Sequence, residues 1–371
     1  MGIKVNINVQ KKALLYVPFM VFNPYHHLRD QGGTASGFVS EGYDTTLIIG
    51  NISGIIPETA YNIVKTHNTQ PRGLISTFRE AFALIKNLKE IEPDIVLVWN
   101  VGVMPFILAI FVKLFQIFGR KKPKIVLRLD WDGTADGRNL LRDLIFRVHL
   151  ILSNMLFDWT TVETNCGKRR VDKIILRPNK LRVIPVGYYP EATNSNVTNY
   201  KRERYILSIA RIAKYKNIEQ SLIAFSSASE DFPDWRFVHV GMCQDVDYFV
   251  LLKELVVKLN IEDRVIFAGE LDYEGVDLWF SRCPVFITSS FKESFNLARL
   301  EAMVNGLIVI SSEAGCSSDF PGVLTFLNTQ EATTHLRNAI IEAEMANLTI
   351  HQKYESIFSW REIVRLILDF Q

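Results

Sequence analysis

The sequence predicts an α/β protein with two mostly parallel sheets, each covered by helices on both faces. Short apolar runs typical of buried strands alternate with segments of helical periodicity along the chain. The length of 371 residues favours two domains. A polar, turn-rich segment at residues 188–202 separates two such alternating series, and we place the interdomain linker there.

The first series begins with a strand at residues 13–19, followed by a loop that carries Gly32 and Gly33. Adjacent glycines allow positive φ and a close approach of the backbone to a ligand. Asn100, Asp130 and Asp132 follow the ends of later strands, where ligands of open parallel sheets bind. The other predicted elements are strands at 45–50, 95–100, 124–129, 159–163 and 181–187 and helices at 75–88, 101–118 and 140–156.

The second series repeats the same alternation and ends in an amphipathic helix near the C-terminus. Its predicted strands lie at 205–210, 235–241, 265–269, 284–288 and 307–311, and its predicted helices at 218–226, 248–259, 297–303 and 354–368.

The composition is that of an ordinary globular protein, with 48% hydrophobic and 22% charged residues. A net charge of +2 with dispersed basic residues argues against nucleic acid as a partner. The cysteines have no paired spacing, which predicts no zinc site and fits a reducing compartment. The first residues show no signal-peptide pattern. We therefore expect a cytoplasmic protein.

The most apolar segment, residues 101–118, has two interpretations. Its uninterrupted apolar part is short for a bilayer span of about 20 residues, which favours a buried crossover helix. The alternative is a helix that lies on a membrane surface, supported by the basic residues at 119–124. The alternative predicts a peripheral protein at the inner face of the membrane.

The stretch at residues 289–303 is the most informative part of the sequence. It follows a buried strand and reaches a helix through a loop, with Ser294 as the predicted N-cap. Glu293 is expected in the loop and Glu301 about two turns into the helix, about 12 Å along its axis. The free N–H groups and positive dipole end of a helix start suit a diphosphate. The two carboxylates could then lie near the two ends of a bound nucleotide sugar.

The same stretch resembles the signature of the retaining glycosyltransferases of family 4, in which seven residues separate two glutamates and Glu-Ala-Met-x-x-Gly closes the motif. The glutamates here are Glu293 and Glu301. Residues 210–217, ARIAKYKN, resemble the Gly-Arg-Leu…Lys-Gly motif of that family. Residues 183–187 resemble its Ile-Pro-Asn-Gly turn, and residues 358–360 resemble its closing motif.

This resemblance covers nearly the whole chain and implies the GT-B fold, with two Rossmann-like domains facing across a cleft. Residues 1–190, joined by the C-terminal helix 354–371, would form the acceptor domain. Residues 191–353 would form the domain that binds the nucleotide-sugar donor.

The resemblance also implies roles for individual residues. Arg211 and Lys216 would hold the donor diphosphate, Glu301 the ribose hydroxyls and Glu293 the sugar hydroxyls near the reacting carbon. We assign Glu293, Arg211, Lys216 and Asp130 to catalysis. The other predicted donor-binding residues are Ser294, Phe295, Asn296, Leu297 and Leu271, and the predicted acceptor-side residues are Gly32, Gly33, Asn100 and Asp132.

Four positions depart from the family pattern. Ala210 replaces the glycine of the Gly-Arg pair, which is a mild change. Asp130 takes the place of a histidine that family members often carry. Ser294 and Asn296 replace both glycines of the usual Glu-Gly-Phe-Gly. These changes could shape the pocket for a particular sugar or restrict the approach of the backbone to the diphosphate.

The activity implied is that of a retaining hexosyltransferase that needs no metal ion and no cofactor. It would move a sugar from a nucleoside-diphosphate donor to an acceptor hydroxyl on a lipid-linked or cell-surface glycan. Two alternatives remain open on the same fold. One is a nucleotide-sugar epimerase, which would turn over without an acceptor, and the other is a non-catalytic nucleotide-sugar-binding relative.

Overall fold

The computed structural model describes residues 10–23, 26, 29–66, 73–118, 122–131, 140–188, 202–346, 348 and 358–369. The chain divides into two compact units. The first consists of Met1–Tyr189 with Phe358–Gln371, and the second of Pro190–Ile357.

The first unit contains a parallel sheet, and helices connect most of its strands. Its strands are β1 (Lys12–Tyr16), β2 (Val21–Phe22), β3 (Asp44–Ile49), β4 (Asn51–Ile52), β5 (Asn62–Lys65), β6 (Ile95–Trp99), β7 (Lys124–Leu129), β8 (Trp159–Val162) and β9 (Leu181–Val183). Its helices are α1 (Asp30–Ser40), α2 (Gly73–Ile91), α3 (Val103–Phe118), α4 (Leu140–Leu156), α5 (Asn165–Val171) and, from the C-terminus, α11 (Trp360–Leu368).

Seven of these strands form one sheet in the order β5-β3-β1-β6-β7-β8-β9, and every neighbouring pair is parallel. The short strands β2 and β4 pair separately. The chain moves outward from β1 to β3 and β5, then returns to the other side of β1 with β6. Such a reversal is the point of an open α/β sheet beyond which ligands bind. The central strand β6 is buried along its whole length, as expected for a sheet covered on both faces.

Helix α11 returns the end of the chain to the first unit, where it packs against α1. Trp360, its first residue, is 3% exposed. A side-chain carbon added at Gly33, Gly37 or Gly187 would collide with Trp360, so these glycines form the slot that admits the indole. The prediction that Gly32 and Gly33 lie in a loop with positive φ is wrong. Both are buried inside α1, and the absent side chain of Gly33 accommodates Trp360.

Gly33→Ala is expected to lower the free energy of unfolding by about 1–3 kcal/mol, because the new methyl group overpacks against Trp360. Helix propensity alone would give the opposite sign, since Ala is about 1 kcal/mol better than Gly inside a helix. Urea unfolding measures the difference. Gly102→Ala is the control, because an added carbon there would meet only Pro105, at 3.9 Å. Equal stability of the two variants would contradict the slot.

The second unit repeats the architecture. Its strands are β10 (Tyr205–Ile209), β11 (Arg236–Val240), β12 (Val265–Gly269), β13 (Val285–Thr288), β14 (Ile308–Ser312) and β15 (Leu324–Phe326). Its helices are α6 (Ile218–Ala228), α7 (Val246–Lys258), α8 (Tyr273–Arg282), α9 (Leu297–Val304) and α10 (Thr329–Met345). All neighbouring strands are parallel, in the order β12-β11-β10-β13-β14-β15, so the switch point lies between β10 and β13.

Most predicted strands and helices are confirmed, with boundary shifts of a few residues. The strand predicted at 181–187 ends at Val183, because Ile184 and Pro185 turn their carbonyls to the buried Arg128. Helices α8 and α10 were not predicted. In α10 the apolar positions do have helical spacing: Ala332, Leu336, Ala339, Ile340 and Ala343 are its buried residues.

No helix in the described part of the chain has both the length and the apolar character needed to cross a membrane.

Candidate functional site

Two loops meet at the switch point of the second unit. The loop after β10 contains a 3-10 turn at Lys214–Lys216, and the loop after β13 contains Glu293. Ser289 Oγ donates to the Asn217 carbonyl at 2.5 Å, and the Phe291 N–H donates to the Tyr215 carbonyl at 2.9 Å. These hydrogen bonds join the loops into one piece of structure at the carboxyl edge of the sheet.

Lys216 and Glu293 contact each other across this junction. Lys216 Nζ lies 2.6 Å from Glu293 Oε1, and Ser290 Oγ donates to the same oxygen at 2.7 Å. The two side chains are each only 13% exposed, so water screens the pair less than it screens a surface ion pair. The loops therefore hold one cation and one anion in a fixed relation at the edge of the sheet.

Arg211 lies nearer the surface of the same loop. Its Nη2 donates to the Tyr215 hydroxyl at 2.6 Å, and its guanidinium lies 5.9 Å from the centre of that ring. Within the described ranges no carboxylate pairs with Arg211. Its side chain is exposed, and its charge is therefore available to an anion.

Helix α9 begins later than the sequence suggested. Its N-cap is Asn296, whose side chain accepts from the Arg299 N–H at 3.1 Å, and the prediction of Ser294 as N-cap is wrong. Asn296 has φ +70°, a conformation that Asn adopts more readily than most residues. Glu301 is consequently the fifth residue of α9 rather than two turns into it, and it is half-buried. The estimate of about 12 Å between the glutamates, based on a continuous helix, does not apply.

A buried arginine holds the end of the Glu293 loop. Arg299 has no exposed surface, and its guanidinium donates to the carbonyls of Phe295 at 2.5 Å, Gly315 at 3.2 Å and Ala314 at 3.3 Å. It also donates to Ser317 Oγ at 2.5 Å. Burial lowers the pKa of Arg299 to about 10, so it remains charged at neutral pH. The arginine thus links the loop after β13 to the loop after β14.

Gly315, in the loop after β14, packs directly behind Glu293. It has φ +69°, and a side-chain carbon there would lie 3.1 Å from Glu293 Cβ and 3.1 Å from the Phe295 carbonyl. Glycine satisfies both the conformation and the space.

The remaining predicted donor-binding residues are spread around the edge of the sheet. The Phe295 side chain is 2% exposed and packs edge-on against Phe320, with ring centres 5.4 Å apart, so it belongs to the core. Leu297 is the first residue of α9 and is half-buried. Leu271 follows β12, two strands away from β10. The assignment of these residues to donor binding stays a prediction.

A cavity of about 490 Å³ opens beside the Glu293 loop, within the range typical of small-molecule sites. Ser289, Ser290 and Phe291 form one of its walls, and the first residues of α6 and α10 form others.

In the first unit, polar residues gather where three neighbouring strands end. Asn100 follows β6 and Asp130 follows β7, and they are joined by two hydrogen bonds: the Asp130 N–H to Asn100 Oδ1 at 3.1 Å and Asn100 Nδ2 to Asp130 Oδ2 at 3.4 Å. Glu163 follows β8 and is buried. Carboxylate oxygens of Asp30, Asp130 and Glu163 lie within 4.8 Å of one another. The buried Arg128 pairs with Asp30 at 3.0 Å, so a cation already neutralises part of this cluster.

The crowding of carboxylates changes the acidity of Asp130. Burial, followed by the negative charge of Asp30, raises its pKa to about 7, although Arg128 and the hydrogen bond from Asn100 act in the opposite direction. Asp130 can therefore either donate or accept a hydrogen bond near neutral pH.

Asp130→Asn is expected to change how stability depends on pH. The folded protein binds the Asp130 proton more tightly than the unfolded chain does, whose Asp has a pKa of about 3.9. The protonated Asp130 therefore contributes fully to the stability of the folded protein at low pH, and this contribution is lost as pH rises from about 4 to about 7. Asn cannot titrate. The free energy of unfolding of the variant should therefore rise relative to that of the wild type over this pH range, by up to about 1.4 kcal/mol per pKa unit. Urea unfolding between those pH values measures the gain, and parallel curves would contradict the prediction.

The sequence signalled some of these residues and not others. Asp132 lies outside the described residues, so its predicted acceptor role stays a prediction. The acceptor role of Asn100 and the catalytic role of Asp130 also stay predictions. Glu163 was missed although it follows a strand end as Asp130 does. Arg128 was missed although a charged residue inside the apolar run 124–129 is itself a signal of a buried pairing.

Part of the second unit is similar in sequence to a known family. Residues 191–321 match the family model described as glycosyl transferases group 1. The matched range contains the loops that carry Arg211, Lys216 and Glu293, together with helix α9 and Glu301.

Among characterised proteins, the alpha-monoglucosyldiacylglycerol synthase of Streptococcus pneumoniae is 31% identical over 143 residues. The match covers 35% of this chain and 32% of the synthase, so it spans about a third of that relative's length.

Two solved structures share the fold over nearly the whole chain. HepE of Anabaena in complex with UDP has a TM-score of 0.66 at 15% identity, covering 96% of this chain and 98% of HepE. UDP-GlcNAc 2-epimerase of Methanocaldococcus jannaschii has a TM-score of 0.55 at 13% identity, covering 96% of this chain and 99% of the epimerase. Likeness at such identities concerns the fold alone. Residues 191–321 are therefore similar to the glycosyl transferases group 1 family, and the chain has the predicted GT-B fold of two Rossmann-like domains.

Proposed function

We propose that the protein is a retaining, metal-independent glycosyltransferase that moves a sugar from a nucleoside-diphosphate donor to an acceptor hydroxyl. The observation that carries the proposal is the Lys216–Glu293 pair at the switch point, with the unpaired charge of Arg211 on the same loop. A cation and a carboxylate held side by side suit a ligand with a diphosphate next to a polyhydroxylated ring.

The cations act on the leaving group. When the sugar leaves, negative charge develops on the diphosphate, and fixed positive groups stabilise that charge most in the transition state. Arg211 offers a fork of N–H donors, Lys216 a compact charge, and the first turn of α9 free N–H groups. These three elements would supply the charge that a divalent metal supplies elsewhere.

The carboxylates orient the sugar and the nucleoside. An ionised carboxylate accepts O–H bonds, and Glu293 would accept them from the sugar hydroxyls. The Lys216 contact holds Glu293 in one orientation, and Arg299 fixes the end of its loop. Glu301, one turn into α9, would accept from the ribose hydroxyls.

Retention follows if the acceptor attacks the face from which the diphosphate leaves. The bond between the anomeric carbon and the phosphate oxygen breaks, the acceptor oxygen bonds to that carbon, and the acceptor proton passes to the released phosphate oxygen. The protein contributes orientation and charge stabilisation. In the first unit, Asp130 and Asn100 would hydrogen-bond the acceptor.

We infer a lipid-linked or cell-surface glycan as the acceptor class and a cytoplasmic site of action, peripheral at the membrane. The name of the matched synthase includes a diacylglycerol, which makes lipid-linked acceptors the first to test.

The experiment is incubation of the full chain with a panel of nucleoside-diphosphate sugars, each with and without lipid-linked acceptors. Transfer that persists in EDTA, with the anomeric configuration of the donor kept in the product by NMR, would support the proposal. A changed sugar without acceptor would instead indicate an epimerase, an activity found on the same fold. Titration heat without any turnover would indicate a non-catalytic relative.

A further inference from the structure

Helix α4 packs Leu150 and Phe146 against the core of the first unit, yet it also carries many apolar side chains on its outward side. Its exposed aliphatic residues are Leu141, Leu144, Ile145, Val148, Leu152 and Met155. Its polar residues Ser153 and Asn154 are instead fully buried. Asn154 is held inward by hydrogen bonds, accepting from the Arg177 N–H at 2.9 Å and donating to Thr160 Oγ1 at 3.3 Å. The outward side of an ordinary surface helix is polar instead.

Helix α3 packs beside α4 and continues the same surface. Leu108, Ala109 and Val112 face the core of the first unit, which supports the buried crossover interpretation for one side of the helix. The other side exposes Val103, Ile110, Leu114 and Ile117. We call these ten exposed apolar side chains, six on α4 and four on α3, the α3–α4 surface. Large apolar patches on soluble proteins mark interaction sites.

Positive charges border one end of this surface. Lys113 on α3 pairs with Asp158 at 2.7 Å, and Arg177 Nη1 donates to the Met155 carbonyl at the end of α4. Lys180 Nζ donates to the nearby Phe157 carbonyl at 2.9 Å. Burial, then the positive charge of Arg177, lowers the pKa of Lys180, with Asp158 acting in the opposite direction and Lys113 adding to the lowering.

Another cation lies next to the same end, and one lies at the opposite end of α4. Gln116 Nε2 on α3 donates to the Pro123 carbonyl at 2.6 Å, which places the exposed Lys122 beside the last turn of α3. Arg142, on the first turn of α4, is also exposed. Two acidic side chains on and beside the surface are paired, Asp158 with Lys113 and Asp143 with Arg147, each at 2.7 Å.

We propose that the α3–α4 surface docks the protein on a bilayer that contains anionic phospholipid. Aliphatic side chains would enter the boundary between headgroups and acyl chains, and the bordering cations would face lipid phosphates, each contributing on the order of 1 kcal/mol. A second copy of the chain fits less well, because it would bring the same cations and no acidic patch to the contact. The inference does not depend on the proposed sugar transfer.

The test is co-sedimentation of the full chain with vesicles of phosphatidylcholine alone or mixed with phosphatidylglycerol. We expect binding to the anionic vesicles that weakens with salt. Leu144→Glu combined with Leu152→Glu should reduce the bound fraction at least tenfold, and Lys122→Glu combined with Arg177→Glu should do the same. Val250→Glu combined with Leu251→Glu is the matched control, because both residues are exposed on α7 in the second unit. This double variant should bind the vesicles as the wild type does.

Absence of wild-type binding to anionic vesicles would overturn the proposal. An equal loss of vesicle binding in the control variant and in the α3–α4 surface variants would also overturn it. Circular dichroism and unfolding curves establish that each variant is folded. If the Leu144 and Leu152 changes instead abolish a dimer seen by analytical ultracentrifugation and leave vesicle binding intact, the surface joins two copies of the chain and the lipid proposal is wrong.

Discussion

Lys216→Ala is expected to lower kcat/KM for sugar transfer by about 10²–10³-fold, the usual effect of removing one group that stabilises developing negative charge. Two changes act in the same direction. The diphosphate loses a cation, and Glu293 loses the partner that holds it at 2.6 Å. A carboxylate without this ion-pair partner is free to turn away from the sugar.

Lys214→Ala is the matched control, because Lys214 lies on the same 3-10 turn but its side chain is exposed. It should keep kcat/KM within about twofold of the wild type, as expected of a charge in bulk solvent. The measurement is steady-state kinetics with the donor and acceptor that the panel experiment identifies, with thermal unfolding as the check on folding. Equal losses in both variants would show that general positive charge matters rather than the Lys216–Glu293 contact.

Arg299→Met is expected to lower the free energy of unfolding by about 2–4 kcal/mol. Methionine fills much of the space but cannot donate, so three carbonyls and the Ser317 hydroxyl lose hydrogen bonds inside the protein. An unsatisfied buried acceptor costs about 1–3 kcal/mol, and removal of a buried charge offsets part of the sum. Urea unfolding measures the loss.

Arg337→Met provides the comparison with the same change of side chain. Arg337 pairs with Asp231 at the surface, with side chains 42% and 64% exposed, and such pairs contribute about 1 kcal/mol or less. Arg299→Met should also lower kcat/KM, because the Phe295 and Gly315 carbonyls it releases belong to the loops that position Glu293. If Arg299→Met proves as stable as Arg337→Met, the proposed role of Arg299 in holding the two loops together is wrong.

The fold was predictable because its main signal is local. Buried parallel strands are continuous apolar runs. The sequence predicted the limits of strands β7 and β12 and of helix α4 to within a few residues. The error at Gly32 and Gly33 had a different origin. A pair of glycines indicates backbone freedom, but the sequence does not say that the space is taken by Trp360, more than 300 residues away.

The candidate site was predictable only in part. Arg211, Lys216, Glu293 and Glu301 were identified through their resemblance to a family motif, and the second unit does place Lys216 against Glu293. The N-cap was misplaced because Ser and Asn are both favoured there, and Asn296 has the φ of +70° that the turn requires. Arg299 was overlooked because a charged residue on a short helix is usually solvated.

By itself the sequence determined the two alternating series, the switch-point loops and the residues available for chemistry, because hydrophobic periodicity and strand ends are properties of neighbouring residues. Only the tertiary structure decided which charges are paired and which face solvent. Arg299 and Arg128 are buried, Asp130 lies among other carboxylates, and α4 exposes apolar side chains to water. Each of these features depends on segments far apart in the chain. Burial and pairing set the electrostatics of a site, and both are decided when distant segments pack together.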